Sequence, residues 1–129
     1  MTFELWTLFA AAVLGLVHIS AAAFSYKAQV GNAYTVGARD EPITRTGVTG
    51  RLDRAQRNFL ETFPLFLACV FLVQATDSAG ALSQWGSAIY LAGRTAYLPL
   101  YALGVPWLRT FAWNIATSGL VLTGAQVLV

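Results

Sequence analysis

Four apolar stretches dominate this chain, at about 5–24, 59–75, 85–103 and 111–129, and only Glu61 and Arg94 place a formal charge inside them. Each is close to the roughly 20 residues a helix needs to cross the hydrocarbon core of a bilayer. Hydrophobic residues make up 57% of the 129 and charged residues 11%, against roughly 25% charged in a typical soluble domain. That balance describes an integral, multi-pass membrane protein. The expected fold class is all-α, a membrane four-helix bundle in one domain, residues 1–129.

The connections differ in charge. Six cations (Lys27, Arg39, Arg45, Arg51, Arg54 and Arg57) fall in or just after the first connection, about 27–50, whereas the second holds only Asp77. By the positive-inside rule the first connection is cytoplasmic, and both termini lie on the non-cytoplasmic side. The third connection, Gly104-Val105-Pro106-Trp107-Leu108-Arg109, returns to the cytoplasmic face. Ser20-Ala21-Ala22-Ala23 resembles a leader cleavage site, but only Glu4 precedes the apolar run, and no Lys or Arg does. The stretch therefore reads as a retained first span, which suits a bacterial inner membrane and would equally suit an endoplasmic reticulum protein. The run Ala21-Ala22-Ala23 allows close helix approach, and no GxxxG pattern stands out. Helix is expected to resume near Gly50 to Asp53, so the second long helix projects beyond the membrane.

Polar chemistry concentrates on two helix faces. Arg54, Asn58 and Glu61 fall at i, i+4 and i+7, on one face of the second helix. Arg94, Tyr97 and Tyr101 fall at i, i+3 and i+7 on the third span, and Arg109 follows just past Pro106. Ionisable groups at membrane depth are costly and usually face the bundle interior or a water-filled cavity. Arginine forks suit carboxylates and tyrosine hydroxyls add neutral donors, so together they fit a small carboxylate-bearing ligand. The blander reading is snorkelling arginines, an aromatic belt, and Glu61 as counter-ion to Arg54, Arg57 or Arg94. His18, alone in the first span, is expected to make an interhelical hydrogen bond. The single Cys69 leaves no disulfide or multi-cysteine metal site, and no metal is expected. Trp6, Trp85, Trp107 and Trp113 sit where interfacial anchors belong. A net charge of +2, confined to one loop and its helix, does not suggest nucleic acid.

The string Arg54-Ala55-Gln56-x-Asn58-x-x-Glu61-x-Phe63-Pro64-Leu65-Phe66-Leu67-Ala68, with Arg94-x-x-Tyr97-x-x-x-Tyr101 and Arg109 after it, resembles the MAPEG superfamily. These membrane-associated proteins in eicosanoid and glutathione metabolism include microsomal glutathione transferases, leukotriene C synthase and the lipoxygenase-activating protein. The resemblance covers essentially the whole chain. It implies a homotrimer with ligand sites between neighbouring subunits, and glutathione as co-substrate. By position, Arg54, Gln56, Asn58 and Glu61 would hold its amino and carboxylate groups. Tyr97 and Tyr101, with Arg94, would complete the polar wall, and Arg109 matches the catalytic arginine that faces the thiol. Two departures stand out. The interval from Tyr101 to Arg109 is one residue longer than in leukotriene C synthase, and Thr62 stands where that synthase has tyrosine. The implied activity is attack of a glutathione thiolate on a lipophilic small molecule or lipid hydroperoxide in the bilayer. The alternative is a non-catalytic lipid-binding scaffold resembling the lipoxygenase-activating protein, and a third reading is a small structural subunit.

Overall fold

The computed structural model describes every residue, Met1–Val129, and contains no strand. Its elements are α1 (Phe3–Val30), the short α2 (Asn32–Val36), α3 (Gly47–Ala75), α4 (Ala81–Ala102) and α5 (Pro106–Ala125), closed by a 3₁₀ turn, Gln126–Leu128. Helix resumes at Gly47, ahead of the expected Gly50 to Asp53, so the arginine-bearing first turns of α3 are helical. α1, α3 and the segment Pro106–Leu128 are long and apolar enough to cross a membrane. α4 is long enough too, at about 33 Å for a rise of 1.5 Å per residue. Its composition is more polar because its buried face carries Ser83, Ser87, Tyr90, Arg94 and Tyr97. Pro64 and Pro99 lie on exposed faces, and α3 and α4 run through them without interruption.

Contacts between helix ends fix the direction of each helix. The Ser25 and Thr49 hydroxyls lie 2.6 Å apart, joining the end of α1 to the start of α3. Ser83 donates to Glu4 Oε1 at 2.5 Å, bringing together the first turns of α1 and α4. Gln126 Oε1 accepts from the Leu82 and Ser83 amides at 3.1 and 3.2 Å, so α5 ends where α4 begins. The bundle is therefore up-down-up-down. One end holds both termini and the α3–α4 connection. The other holds the charged α1–α3 connection and the α4–α5 turn.

Small residues set how closely the helices approach. A Cβ on Gly86 would lie 2.5 Å from the Thr123 nitrogen and 2.7 Å from the Gly119 carbonyl oxygen. One on Gly93 would lie 2.8 Å from the Ala116 nitrogen and 2.9 Å from the Ala112 oxygen. α4 and α5 thus touch backbone to backbone through glycines seven apart on α4, a spacing that no GxxxG search finds. On α1 the buried stripe is Glu4, Thr7, Ala11, Gly15, His18, Ala22 and Tyr26; of the Ala21–Ala23 run, only Ala22 faces inward. The Phe59 ring packs over Gly15 and stacks on His18, with ring centroids 4.5 Å apart. The expected interhelical bond of His18 is not made. Its Nδ1 pairs with Leu14 O of its own helix at 2.9 Å, and Nε2 is buried without a partner.

The first connection is strapped down by side chains. Tyr34 OH donates to Glu41 O at 2.6 Å, and Tyr26 OH donates to Ile43 O at 3.0 Å. Gln29 Nε2 donates to Thr44 O at 2.8 Å, and the Arg45 guanidinium lies 4.0 Å from the Tyr26 ring centre.

Candidate functional site

The α4–α5 turn shapes the charged end. Gly104 takes φ +72°, the left-handed conformation that glycine adopts without a Cβ clash. Its amide donates to Tyr101 O, and the Val105 amide donates to Leu100 O, each at 3.0 Å. Pro106 then opens α5, where a missing N–H costs nothing. This stop-and-restart places Arg109 in the first turns of α5, directly across from Tyr101 at the end of α4. The positive end of the α5 dipole and the Arg109 guanidinium favour an anion in the same place.

Tyr101 is the centre of the arrangement. The Arg109 guanidinium carbon lies 4.4 Å from its ring centre and that of Arg54 lies 5.9 Å away, while Arg54 Nε donates to its hydroxyl at 3.1 Å. Tyr97 meets Tyr101 edge to face, with centroids 5.4 Å apart. Arg51 ties α3 to the end of α4 by donating from Nε to Ala102 O at 2.9 Å. Beside these groups lies a cleft of about 180 Å³ lined by Asn58, Tyr97, Arg109, Thr110 and Trp113. It offers several hydrogen-bond donors, and no carboxylate lines it.

A family model described as the MAPEG family matches residues 3–129. The chain belongs to the MAPEG family. No curated protein sequence matches it significantly. Membership makes it a membrane protein of a glutathione-related transferase and synthase family, with the helical membrane bundle described above.

Measured against the expected MAPEG site, the structure brings together Arg54, Asn58, Tyr97, Tyr101 and Arg109. Across the α4–α5 turn, the Arg109 guanidinium carbon lies 4.4 Å from the Tyr101 ring centre. Glu61 shares the face of Arg54 and Asn58 and is exposed. It is no counter-ion: the ion pairs are Arg57–Asp53 at 2.9 Å and Arg45–Asp53 at 3.5 Å. Arg94 departs from expectation. It is 1% exposed and does not line the cleft. Its guanidinium donates to Asn58 and Thr62 and sits among the rings of Tyr97, Phe59 and Tyr90, at 5.3, 5.8 and 5.9 Å.

Gln56 also departs. Two residues past Arg54 on a helix of 3.6 residues per turn, it points to the opposite side of α3. There it lines a separate pocket of about 340 Å³ with Tyr26, Lys27, Arg39, Arg45 and Asp53. Sequence reasoning missed Trp113 and Thr110. Trp113 was expected as an interfacial anchor; instead its indole lines the cleft, with Nε1 buried and unpartnered. The signal was present, because Trp113 follows Arg109 by four residues and so shares its helix face.

Proposed function

We propose that this protein binds glutathione at the charged end of the bundle and activates its thiol for attack on a lipophilic electrophile or lipid hydroperoxide in the bilayer. The observation that carries the reading is the convergence of Arg109, Arg54, Asn58 and the two tyrosines around a small cleft without a carboxylate. Two carboxylates and a thiolate give glutathione the complementary charge, and the exposed Glu61 is free to receive its amino group.

Geometry also supports a trimer with shared sites. A cleft of about 180 Å³ is smaller than the roughly 300–1,000 Å³ of typical ligand pockets. The Gln56 pocket, with Lys27 and Arg45, lies on the other side of the same helix. Contact between one side of a subunit and the other side of its neighbour is heterologous, and such contacts close into a ring when the rotation between copies closes. In a ring of three, Gln56 of one copy completes the cleft of the next. By the positive-inside rule the arginine-rich end faces the cytoplasm, where glutathione is available.

The energetic requirement is modest. A free thiol has a pKa of about 8.5, and ionising most of it at neutral pH takes a shift of roughly two units, about 2.7 kcal/mol. One charge-assisted hydrogen bond contributes on the order of 1.5–3 kcal/mol, so Arg109 with the α5 dipole is sufficient. The thiolate's carbon–sulfur bond forms as the electrophile's leaving group departs. With a hydroperoxide, the thiolate attacks the terminal oxygen, the O–O bond breaks, and the alkoxide takes up a proton to leave as the alcohol. The sulfenic acid formed on glutathione then condenses with a second glutathione to give the disulfide and water. The test is ultraviolet thiolate absorbance on mixing glutathione with detergent-purified protein. Wild type is expected to give a saturable rise that Arg109→Ala loses while still binding glutathione. An undiminished rise in the variant would show that Arg109 is not the activating group. Absence of both signal and binding in wild type would leave the lipid-binding scaffold as the better reading.

A further inference from the structure

Arg94 is the largest fully buried side chain in the protein, yet no carboxylate pairs with it. Removing an arginine from water without a counter-ion is expensive unless its donors are satisfied. Here Nη1 donates to Asn58 Oδ1 at 2.8 Å, and Nη2 donates to the Asn58 carbonyl oxygen at 3.0 Å and to Thr62 Oγ1, while Nε stays buried without a partner. Three aromatic faces surround the charge. Thr62, the residue that departs from the synthase pattern, also bonds the Tyr90 hydroxyl at 3.2 Å. α3 and α4 are therefore joined by a polar cluster centred on one side chain, Asn58, and its own turn of helix.

The chemistry of that cluster decides the orientation of Asn58. Arginine has five donors and no acceptor, so the Asn58 atom facing it is the oxygen. The amide N–H₂ is then turned away from Arg94. Asn58 lines the cleft, and its Nδ2 donates to nothing within the chain. We propose that Arg94 is a positioning residue, holding the Asn58 amide with its N–H₂ group turned into the cleft so that the inner wall takes a carboxylate or carbonyl oxygen of the ligand. Without Arg94 the amide rotates freely and presents oxygen as readily as nitrogen. The lock sets specificity: an anionic or carbonyl oxygen is accepted there, and a ligand N–H is not. Trp113 lines the same cleft, and its Nε1 is buried without a partner within the chain.

The inference rests on the glutathione reading for its ligand, but the lock has its own readout. Arg94→Met removes the donors at similar length, and Arg94→Lys keeps one positive donor. By calorimetry, Arg94→Met should weaken glutathione binding on the order of tenfold, as expected for one hydrogen bond. Thiolate yield at saturating glutathione should stay within about twofold of wild type, because Arg109 is untouched, and Arg94→Lys should recover part of the affinity. In an Asn58→Ala background Arg94→Met should cost nothing further. Losses that add in the double variant would show that Arg94 acts on the ligand or the fold directly, and would overturn the proposal. The second arm needs no ligand. Asn58 is one of three asparagines, with Asn32 and Asn114, so its side-chain carbonyl resonance is assignable in selectively labelled protein by its loss in Asn58→Ala. Arg94→Met should shift that resonance and Arg94→Lys should shift it less; an unmoved resonance refutes the lock. Should Arg94→Met not fold, Arg94→Lys carries both measurements. If wild type binds no glutathione, the glutathione reading falls and the resonance alone decides the lock.

Discussion

The contact between α4 and α5 makes a quantitative prediction. Gly86→Ala adds a Cβ 2.5 Å from the Thr123 nitrogen, 2.6 Å from its Oγ1 and 2.7 Å from the Gly119 oxygen. Two of those three atoms are backbone and cannot rotate aside, so the helices must separate. The same substitution carries an opposing gain, since alanine is about 1 kcal/mol better than glycine in a helix interior. Forced overpacking typically costs about 1–3 kcal/mol and occasionally more. With three contacts this short and the partner immobile, steric cost wins, and a net loss of about 1–2 kcal/mol is expected. At roughly 3–5 °C per kcal/mol for a chain of this size, the melting temperature falls by about 3–10 °C. Thermal unfolding of detergent-purified protein, followed by tryptophan fluorescence, measures it. Gly124→Ala is the graded control: its Cβ would meet only the Cys69 sulfur, at 3.1 Å, and the loss should be smaller. Gly93→Ala should show a comparable stability loss and also weaken ligand binding, because Gly93 adjoins Arg94 and packs on Ala112 and Ala116 beside Trp113. A Gly86→Ala protein that melts at or above the wild-type temperature would refute backbone contact between α4 and α5.

Two further outcomes follow from the same structure. Glu4 is 1% exposed and accepts from Ser83 where two helix N-termini meet, and dipoles at such ends favour a carboxylate; Glu4→Gln should destabilise mildly and Glu4→Leu by about 1–3 kcal/mol, and equal melting temperatures for all three proteins would rule out this role. If Gln56 and Arg109 belong to the same site across a subunit boundary, co-expressing Gln56→Ala with Arg109→Ala should restore part of the thiolate signal that each variant lacks or weakens alone; mixed assemblies no more active than the average of their parents would refute a shared site.

Much of this protein was legible before any coordinates. The apolar runs and the clustering of charge before Glu61 are one-dimensional properties, and burial in lipid makes them decisive, because a bilayer leaves a backbone few ways to satisfy itself. The periodicity of 3.6 also placed Arg54, Asn58 and Glu61 on one face, and Tyr97 with Tyr101 on another. It failed where the answer depended on what stood opposite. Gln56 lies in the same motif as Arg54, yet helical geometry sends it to the far side of α3, and a motif string does not record direction. Trp113 looked like an anchor because position along a span does not say whether an indole faces lipid or a neighbouring helix.

What the amino-acid order determined by itself was therefore the class of environment and the faces of single helices: an all-α membrane bundle, charged at one end, with two polar stripes. Those follow from local spacing and from the cost of exposing polar groups to lipid, neither of which needs a partner. Only the tertiary structure decided which stripe meets which. It buried Arg94 behind Asn58, clasped Tyr101 between Arg54 and Arg109, and drew α5 against α4 through glycines seven residues apart. Those are properties of pairs of surfaces, set by how closely two backbones approach, and no single stretch of sequence contains both members of the pair.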